Sequence, residues 1–170
     1  GDITSLQDCK KAVKGVDGIV SLAAIVGSPA CNRQLAHSFS VNVEGIKNLI
    51  SARSKLQRIV FSSTESVYGP AACVETSSPR PTSAYASQKL EAEKLLANTD
   101  NTISFRFAAG MGLSYTTRIN LLVNTLVYEA IKNNVLVIYQ GEVLRNFINV
   151  KEEFYLKDKA RRTTQRFNLP

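Results

Sequence analysis

Residues 58–69 read Arg58-Ile-Val-Phe-Ser-Ser-Thr64-Glu-Ser-Val-Tyr-Gly69, and they decide the fold. Arg58–Ser63 is a short, β-branched and aromatic run that stops in hydroxyl residues. Such a run, apolar at successive positions rather than alternating, marks a strand buried on both faces, as in a parallel sheet. After it, residues 69–83 hold Pro70, Pro79 and Pro81, which makes a loop. Ser83–Asn98 is then rich in alanine, leucine, glutamate and lysine and reads as a helix.

The same alternation extends outward. Upstream, Gly18–Ala24 (GIVSLAA) is a second continuous apolar strand, preceded by a helix over Ser5–Val16 with Ser5 as its cap. Asn32–Arg53 reads as one long helix with Phe39, Val43, Ile46 and Ile50 on a stripe. Downstream, Ile103–Phe107 is a strand and Arg118–Lys132 an amphipathic helix. Leu136–Tyr139 and Phe147–Val150 are short strands. Strands alternating with helices at this spacing imply an α/β fold, a Rossmann-like parallel sheet with helices on both faces. Ligands of such sheets sit at the carboxyl ends of the strands. Attention therefore falls on Ala23-Ala24, on Ser62-Ser63-Thr64 and on the segment from Arg106 to Gly112.

Tyr85-Ala-Ser-Gln-Lys89 sets a phenol and an ammonium four residues apart, on one face of the helix. A nearby cation favours the phenolate, so a tyrosine in this setting can take a proton from an alcohol near neutral pH. An isolated Tyr-x-x-x-Lys is a common surface pair. The preceding strand, which delivers the Thr64 hydroxyl, gives this one its meaning.

Composition bounds the rest. The chain has 170 residues, 44% hydrophobic and 21% charged, which suits one domain with a real core. No apolar run approaches the roughly 18–20 residues of a membrane span. Cys9, Cys31 and Cys73 are widely spaced and odd in number, against a disulfide framework or a cysteine zinc site. His37 is the one histidine and reads as a solvated helix position, so no metal site is expected. A reducing, cytoplasmic setting is the expectation. The net charge is +7, gathered partly in Lys157, Lys159, Arg161, Arg162 and Arg166. No aromatic residues interleave there for base stacking, so a solvated or phosphate-attracting face is expected, without nucleic acid or membrane as partner.

In this order the motifs resemble the extended short-chain dehydrogenase/reductase superfamily, and within it the NAD-dependent nucleotide-sugar epimerase/dehydratase family. Asp2-Ile3 is similar to the acidic position after the family's third strand, which faces the adenine. Ser21-Leu-Ala-Ala24 is similar to its cofactor-lining His-Leu-Ala-Ala, with Ser21 in place of histidine. Val41-Asn-Val-Glu-Gly45 resembles the helix whose asparagine supports the catalytic lysine. Arg106-Phe-Ala-Ala-Gly-Met-Gly112 resembles a segment near nicotinamide and substrate. Arg145-Asn-Phe-Ile-Asn-Val150 resembles the one whose arginine holds the pyrophosphate, and Phe167-Asn-Leu169 a later strand.

The resemblance implies an enzyme using NAD or NADP on a nucleotide sugar. It implies catalysis by Thr64, Tyr85 and Lys89. The cofactor would be bound by Asp2, Ile3, Leu22, Ala23, Ala24, Asn42, Ser62, Ser63, Tyr85 and Lys89, and the substrate by Glu65, Arg106 and Arg145. It also implies homodimerisation through the helices starting near Asn32 and Ser83. Residues 1–112 would belong to the cofactor domain and 113–170 to part of a small substrate region.

Departures narrow this. Family dehydratases carry an acidic pair after the catalytic threonine; here Glu65 is followed by Ser66, which favours epimerisation or simple oxidation and reduction. The usual His-Val-Asp-Asp reads Asn149-Val-Lys-Glu152. No Gly-x-x-Gly-x-x-Gly is present, so the fold is expected to be incomplete at its N-terminus, lacking a first βαβ unit on the order of 50 residues. The competing expectation is a non-catalytic structural or regulatory relative.

Overall fold

The structure, a computed structural model, describes residues 1–70, 73–138, 141, 145–152 and 155. Strands β1 (Gly18–Ser21), β2 (Arg58–Thr64) and β3 (Thr102–Phe107) form one parallel sheet in the order β1-β2-β3. Gly18 lies opposite Arg58, and Thr64 opposite Phe107. The central strand is buried on both sides, with Ile59, Val60 and Phe61 at 0%, 0% and 1% exposure. That is why it reads as an unbroken apolar run.

Its side chains alternate between two clusters. Ile59 and Phe61 join Val13, Ile46, Leu49, Ala92 and Leu96 beneath α1 (Leu6–Ala12), α4 (Gly45–Ala52) and α5 (Ala84–Ala97). Val60 points the other way, to Phe105 and Phe107, with Ile103 and Ile148 packed alongside. Each large apolar side chain so buried contributes about 1.5–3 kcal/mol. The α/β class and the parallel sheet expected from the alternation are both present.

Several boundaries differ from the sequence expectation, each for a local reason. Ser5 does cap α1, accepting from the Asp8 amide at 3.3 Å, but the helix stops at Ala12, ahead of Gly15 with φ +75°. β1 ends at Ser21 rather than Ala24. The Asn42 side chain instead takes both backbone groups of Ile25, at 2.9 Å each, as a neighbouring strand would. The single helix expected over Asn32–Arg53 is four pieces. It begins earlier as α2 (Ser28–Arg33), with Pro29 in its first turn, where a missing N–H costs nothing. It breaks at Gln34, resumes as α3 (Leu35–Phe39), and widens into a π-turn over Ser40–Glu44 before α4. The π-turn is the reason Asn42 faces inward, and such turns concentrate at functional sites.

Beyond the sheet, β4 (Ala109–Met111) pairs in parallel with β5 (Phe147–Asn149), and α6 (Leu122–Asn133) closes on Asn134 in the left-handed conformation. The β4–β5 pair joins residues from either side of the boundary expected at Gly112. No strand forms over 136–138, where Leu136, Val137 and Ile138 stand exposed. A strand needs a neighbour for its ladder, and none lies beside this run among the described residues. Tyr139, Phe167–Leu169 and the basic residues Lys157, Lys159, Arg161, Arg162 and Arg166 lie outside the described residues. All three cysteines are free, and no described helix is long and apolar enough to cross a membrane.

One glycine secures the loop between β2 and α5. Gly69 has φ +81° and ψ −159°, a region open essentially to glycine alone. A Cβ there would sit 2.6 Å from the Arg80 carbonyl oxygen, and Arg80 is itself tied to Val67 through a 2.9 Å backbone bond. Gly69→Ala is therefore expected to destabilise the fold by at least about 1–3 kcal/mol. Thermal melting checks it, and a variant melting with the parent would contradict the geometry.

Candidate active site

The carboxyl ends of β1, β2 and β3 lie along one edge of the sheet because the strands are parallel. At the end of β2, Thr64 is the last residue of the ladder and caps a 3-10 turn over Glu65–Tyr68. Its hydroxyl accepts from the Ser66 amide at 3.2 Å and donates to the Ser66 hydroxyl at 3.1 Å. Ser83 caps α5 by accepting from the Ala86 amide at 3.2 Å, which starts the helix just ahead of Tyr85.

Tyr85 is half-buried in the first turn and Lys89 lies one turn on, only 4% exposed. A buried ammonium needs partners. Lys89 Nζ donates to the Ser62 carbonyl at 2.8 Å and lies 4.6 Å from the centroid of the Phe61 ring. The Tyr85 ring centroid is 6.0 Å from the same nitrogen. The end of β2 thus fixes the cation that faces the phenol.

Asn42 was expected to support this lysine. Its hydrogen bonds go to Ile25 and, at 2.8 Å, to the side-chain oxygen Oε1 of Gln88. Gln88 in turn donates to the Ser38 hydroxyl at 2.9 Å. Asn42 therefore acts through the residue beside Lys89, anchoring α5 to the π-turn and to the segment after β1. In that segment Leu22 and Ala23 are exposed and Ala24 half-buried. The Ser21 hydroxyl just before them is buried without a hydrogen-bond partner.

Strand alternation sets where two further expected site residues point. Ser63 turns toward α5, is buried, and donates its hydroxyl to Glu93; Ser62 contributes its carbonyl to Lys89. Arg106, the residue directly opposite Ser63 on β3, also turns toward α5. Its Nε reaches both Glu93 oxygens at 3.1 and 3.0 Å, Nη2 reaches Oε2 at 2.7 Å, and Nη1 donates to the Tyr68 hydroxyl at 2.8 Å. Those bonds, from Glu93 first, hold the guanidinium pKa above its ordinary value. Arg106 braces β3 to α5 and to Tyr68, with every guanidinium nitrogen engaged within the fold.

Glu65 and Arg145 are brought together. Burial pushes the Glu65 carboxyl up, opposed by the Asn146 side chain, the charge of Arg145 and the Ala109 backbone. Arg145 itself is exposed. Asn146 was missed by sequence reasoning, although it stands beside Arg145 in the same segment. At the N-terminus, the Asp2 carboxylate accepts from the Thr4 amide at 2.8 Å, and this bond holds it below the usual carboxylate range. Asn48 on α4 donates to the Ile3 and Thr4 carbonyls at 3.1 and 2.9 Å. Ile3 packs where a Cβ on Gly45 would be 2.9 Å away. The turn carrying Asp2 and Ile3 is therefore fastened to α4.

Comparison with known proteins agrees with this layout. The model of the NAD dependent epimerase/dehydratase family matches residues 1–153. A 3-beta-hydroxysteroid dehydrogenase of Mycolicibacterium neoaurum is 42% identical over 73 residues, covering 39% of this chain and 20% of that protein. A UDP-glucose 4-epimerase of Lacticaseibacillus casei is 33% identical over 99 residues, covering 55% of this chain and 30% of that protein. The solved structure of MoeE5 with UDP-glucose and NAD superimposes with a TM-score of 0.83 at 28% identity, covering 98% of this chain and 58% of that one. The Bacillus cereus UDP-glucuronic acid 4-epimerase, solved with UDP-glucuronic acid and NAD, gives 0.82 at 24% identity, covering 97% and 55%; at that identity the likeness is one of fold.

Proposed function

Because the chain belongs to the NAD-dependent epimerase/dehydratase family, we propose that it serves the NAD-dependent oxidation, and return by reduction, of a hydroxyl-bearing carbon on a nucleotide sugar. The observation that carries this reading is the buried Lys89 ammonium, held by the Ser62 carbonyl beside the Tyr85 ring, at the end of the strand that delivers Thr64.

In this reading Tyr85 removes the hydroxyl proton, Thr64 hydrogen-bonds the same oxygen, and Lys89 stabilises the phenolate. The residues present fit a nicotinamide dinucleotide. Lys89 and Tyr85 offer hydrogen-bonding groups suited to a ribose, Leu22 to Ala24 offer an open apolar surface, and Asp2 and Ile3 form a fastened turn suited to the adenine end. When bound, the nicotinamide supplies acceptance and return of a hydride at the carbon whose hydroxyl Tyr85 deprotonates. Arg145 suits the sugar-nucleotide pyrophosphate, because a guanidinium pairs with phosphate oxygens as a fork. Glu65 borders the sugar. With Ser66 next to it, a second carboxylate for dehydration is missing, which favours epimerisation.

A second reading has its own support in the steroid dehydrogenase likeness: the same base acting on a steroid alcohol. Incubation with NAD and UDP-glucose, in parallel with a 3β-hydroxysteroid, separates the two. The C4 epimer formed with catalytic NAD is expected. Steroid ketone formed with one NADH per turnover would move the assignment to the second reading, and no product from any sugar nucleotide would remove the first.

A further inference from the structure

The inner face of α5 is polar where a packed helix is usually apolar. Gln88, Lys89 and Glu93 are buried on it beside Ala86, Ala92 and Leu96. Lys89 follows Tyr85 by one turn and Glu93 follows Lys89 by another, so the three share a face. Glu93 is 8% exposed, and the proposed chemistry gives it no part.

Its partners come from two different strands. Ser63 on β2 donates its hydroxyl to the Glu93 carboxylate. Arg106 on β3 meets both carboxylate oxygens, with Nη2 at 2.7 Å. Through Arg106 the cluster reaches Tyr68 at the end of the 3-10 turn that Thr64 caps, and the Tyr68 hydroxyl also donates to the Glu75 carbonyl at 3.2 Å. Ser63 lies between Ser62, whose carbonyl holds Lys89, and Thr64. One carboxylate therefore fastens the helix of Tyr85 and Lys89 to the strand and turn of Thr64, next to the reacting groups.

We infer that Glu93 is a positioning residue, which with Ser63 and Arg106 sets the placement of Tyr85 and Lys89 on α5 against Thr64 on β2. This rests on the Tyr85–Lys89 reading above and adds to it a reason why the two elements stay in register. The carboxylate touches neither substrate nor cofactor; it acts by holding geometry, and displacement of about 1 Å at such a site is enough to cost up to a hundredfold in rate.

Two variants test it in the full chain. Ser63→Ala removes one bond and leaves the Glu93–Arg106 pair, so the fold survives. Glu93→Gln keeps shape and one acceptor and gives up the charge. Two readouts are taken: steady-state turnover with UDP-glucose and NAD, and the ultraviolet titration of the Tyr85 phenol, isolated by subtracting the Tyr85→Phe spectrum. The expected result is kcat lowered about tenfold or more with KM within about twofold in both variants, and a Tyr85 titration moved to higher pH in Ser63→Ala, where no charge is removed. Unchanged turnover and an unmoved titration in folded Ser63→Ala would overturn the positioning role while leaving the Tyr85–Lys89 reading intact. A Tyr85 phenol that already titrates like a free tyrosine in the parent would overturn that reading, and the inference with it.

Discussion

Tyr85→Phe is expected to lower turnover on the order of a hundred- to ten-thousandfold, the range associated with losing a positioned acid–base group. The ring remains, so the packing at the start of α5 is kept and the Ser83 cap on Ala86 is untouched. The Lys89 ammonium keeps the Ser62 carbonyl and the Phe61 ring, so affinity for NAD should fall little. Loss confined to kcat identifies a group that acts in the transition state rather than in binding. Steady-state kinetics, an NAD titration and a melting curve on the same preparation separate these effects. Turnover within about threefold of the parent, at unchanged stability, would remove Tyr85 from the chemistry.

The parts of this site that were legible in the sequence are those encoded locally. β2 reads as a parallel strand because Ile59, Val60 and Phe61 are buried on both faces. The Ser5 cap is a short-range bond to an amide three residues on. The pairing of Tyr85 with Lys89 follows from helical spacing alone. What escaped depends on partners distant in the chain. The π-turn is shaped around Asn42, whose bonds run to Ile25 and to Gln88, 46 residues away. Strand β4 exists because Phe147–Asn149 lies beside it. Leu136–Ile138 has the higher β-propensity but no neighbouring strand among the described residues.

Arg106 shows what a motif leaves unsaid. Its segment resembles one near substrate, and period-2 alternation turns its side chain to the helix side with Ser63, where it pairs with Glu93. The same alternation explains why α5 gives no clear apolar stripe. Its buried face sets Glu93 against Ser63 and Arg106, Lys89 against the Ser62 carbonyl, and Gln88 against Asn42 and Ser38. A helix chosen for polar contacts with strand ends looks solvated to a periodicity argument and is in fact buried.

Lys89→Met carries the second large expected effect, and it differs in kind from the first. Methionine keeps an unbranched chain to lie over Phe61, so most of the packing survives. The ammonium is lost, and the Ser62 carbonyl loses that donor, a penalty of about 1–3 kcal/mol for a buried polar group. Stability should therefore fall modestly. Turnover should fall by about a hundredfold or more, because the charge that favours the Tyr85 phenolate is gone. The sign of the pH effect follows. A phenolate less favoured needs a higher pH to form, so the acidic limb of the kcat profile should move upward, and added alkali should restore part of the rate. NAD should also bind more weakly, since the proposal gives Lys89 a hydrogen bond to the ribose; in Tyr85→Phe that bond is kept. Lys89→Arg should not rescue. Its planar fork is larger than the slot at 4% exposure and cannot place one compact charge between the Ser62 carbonyl and two rings. A Lys89→Met protein with a parental pH profile would show that the cation stabilises the fold and not the base.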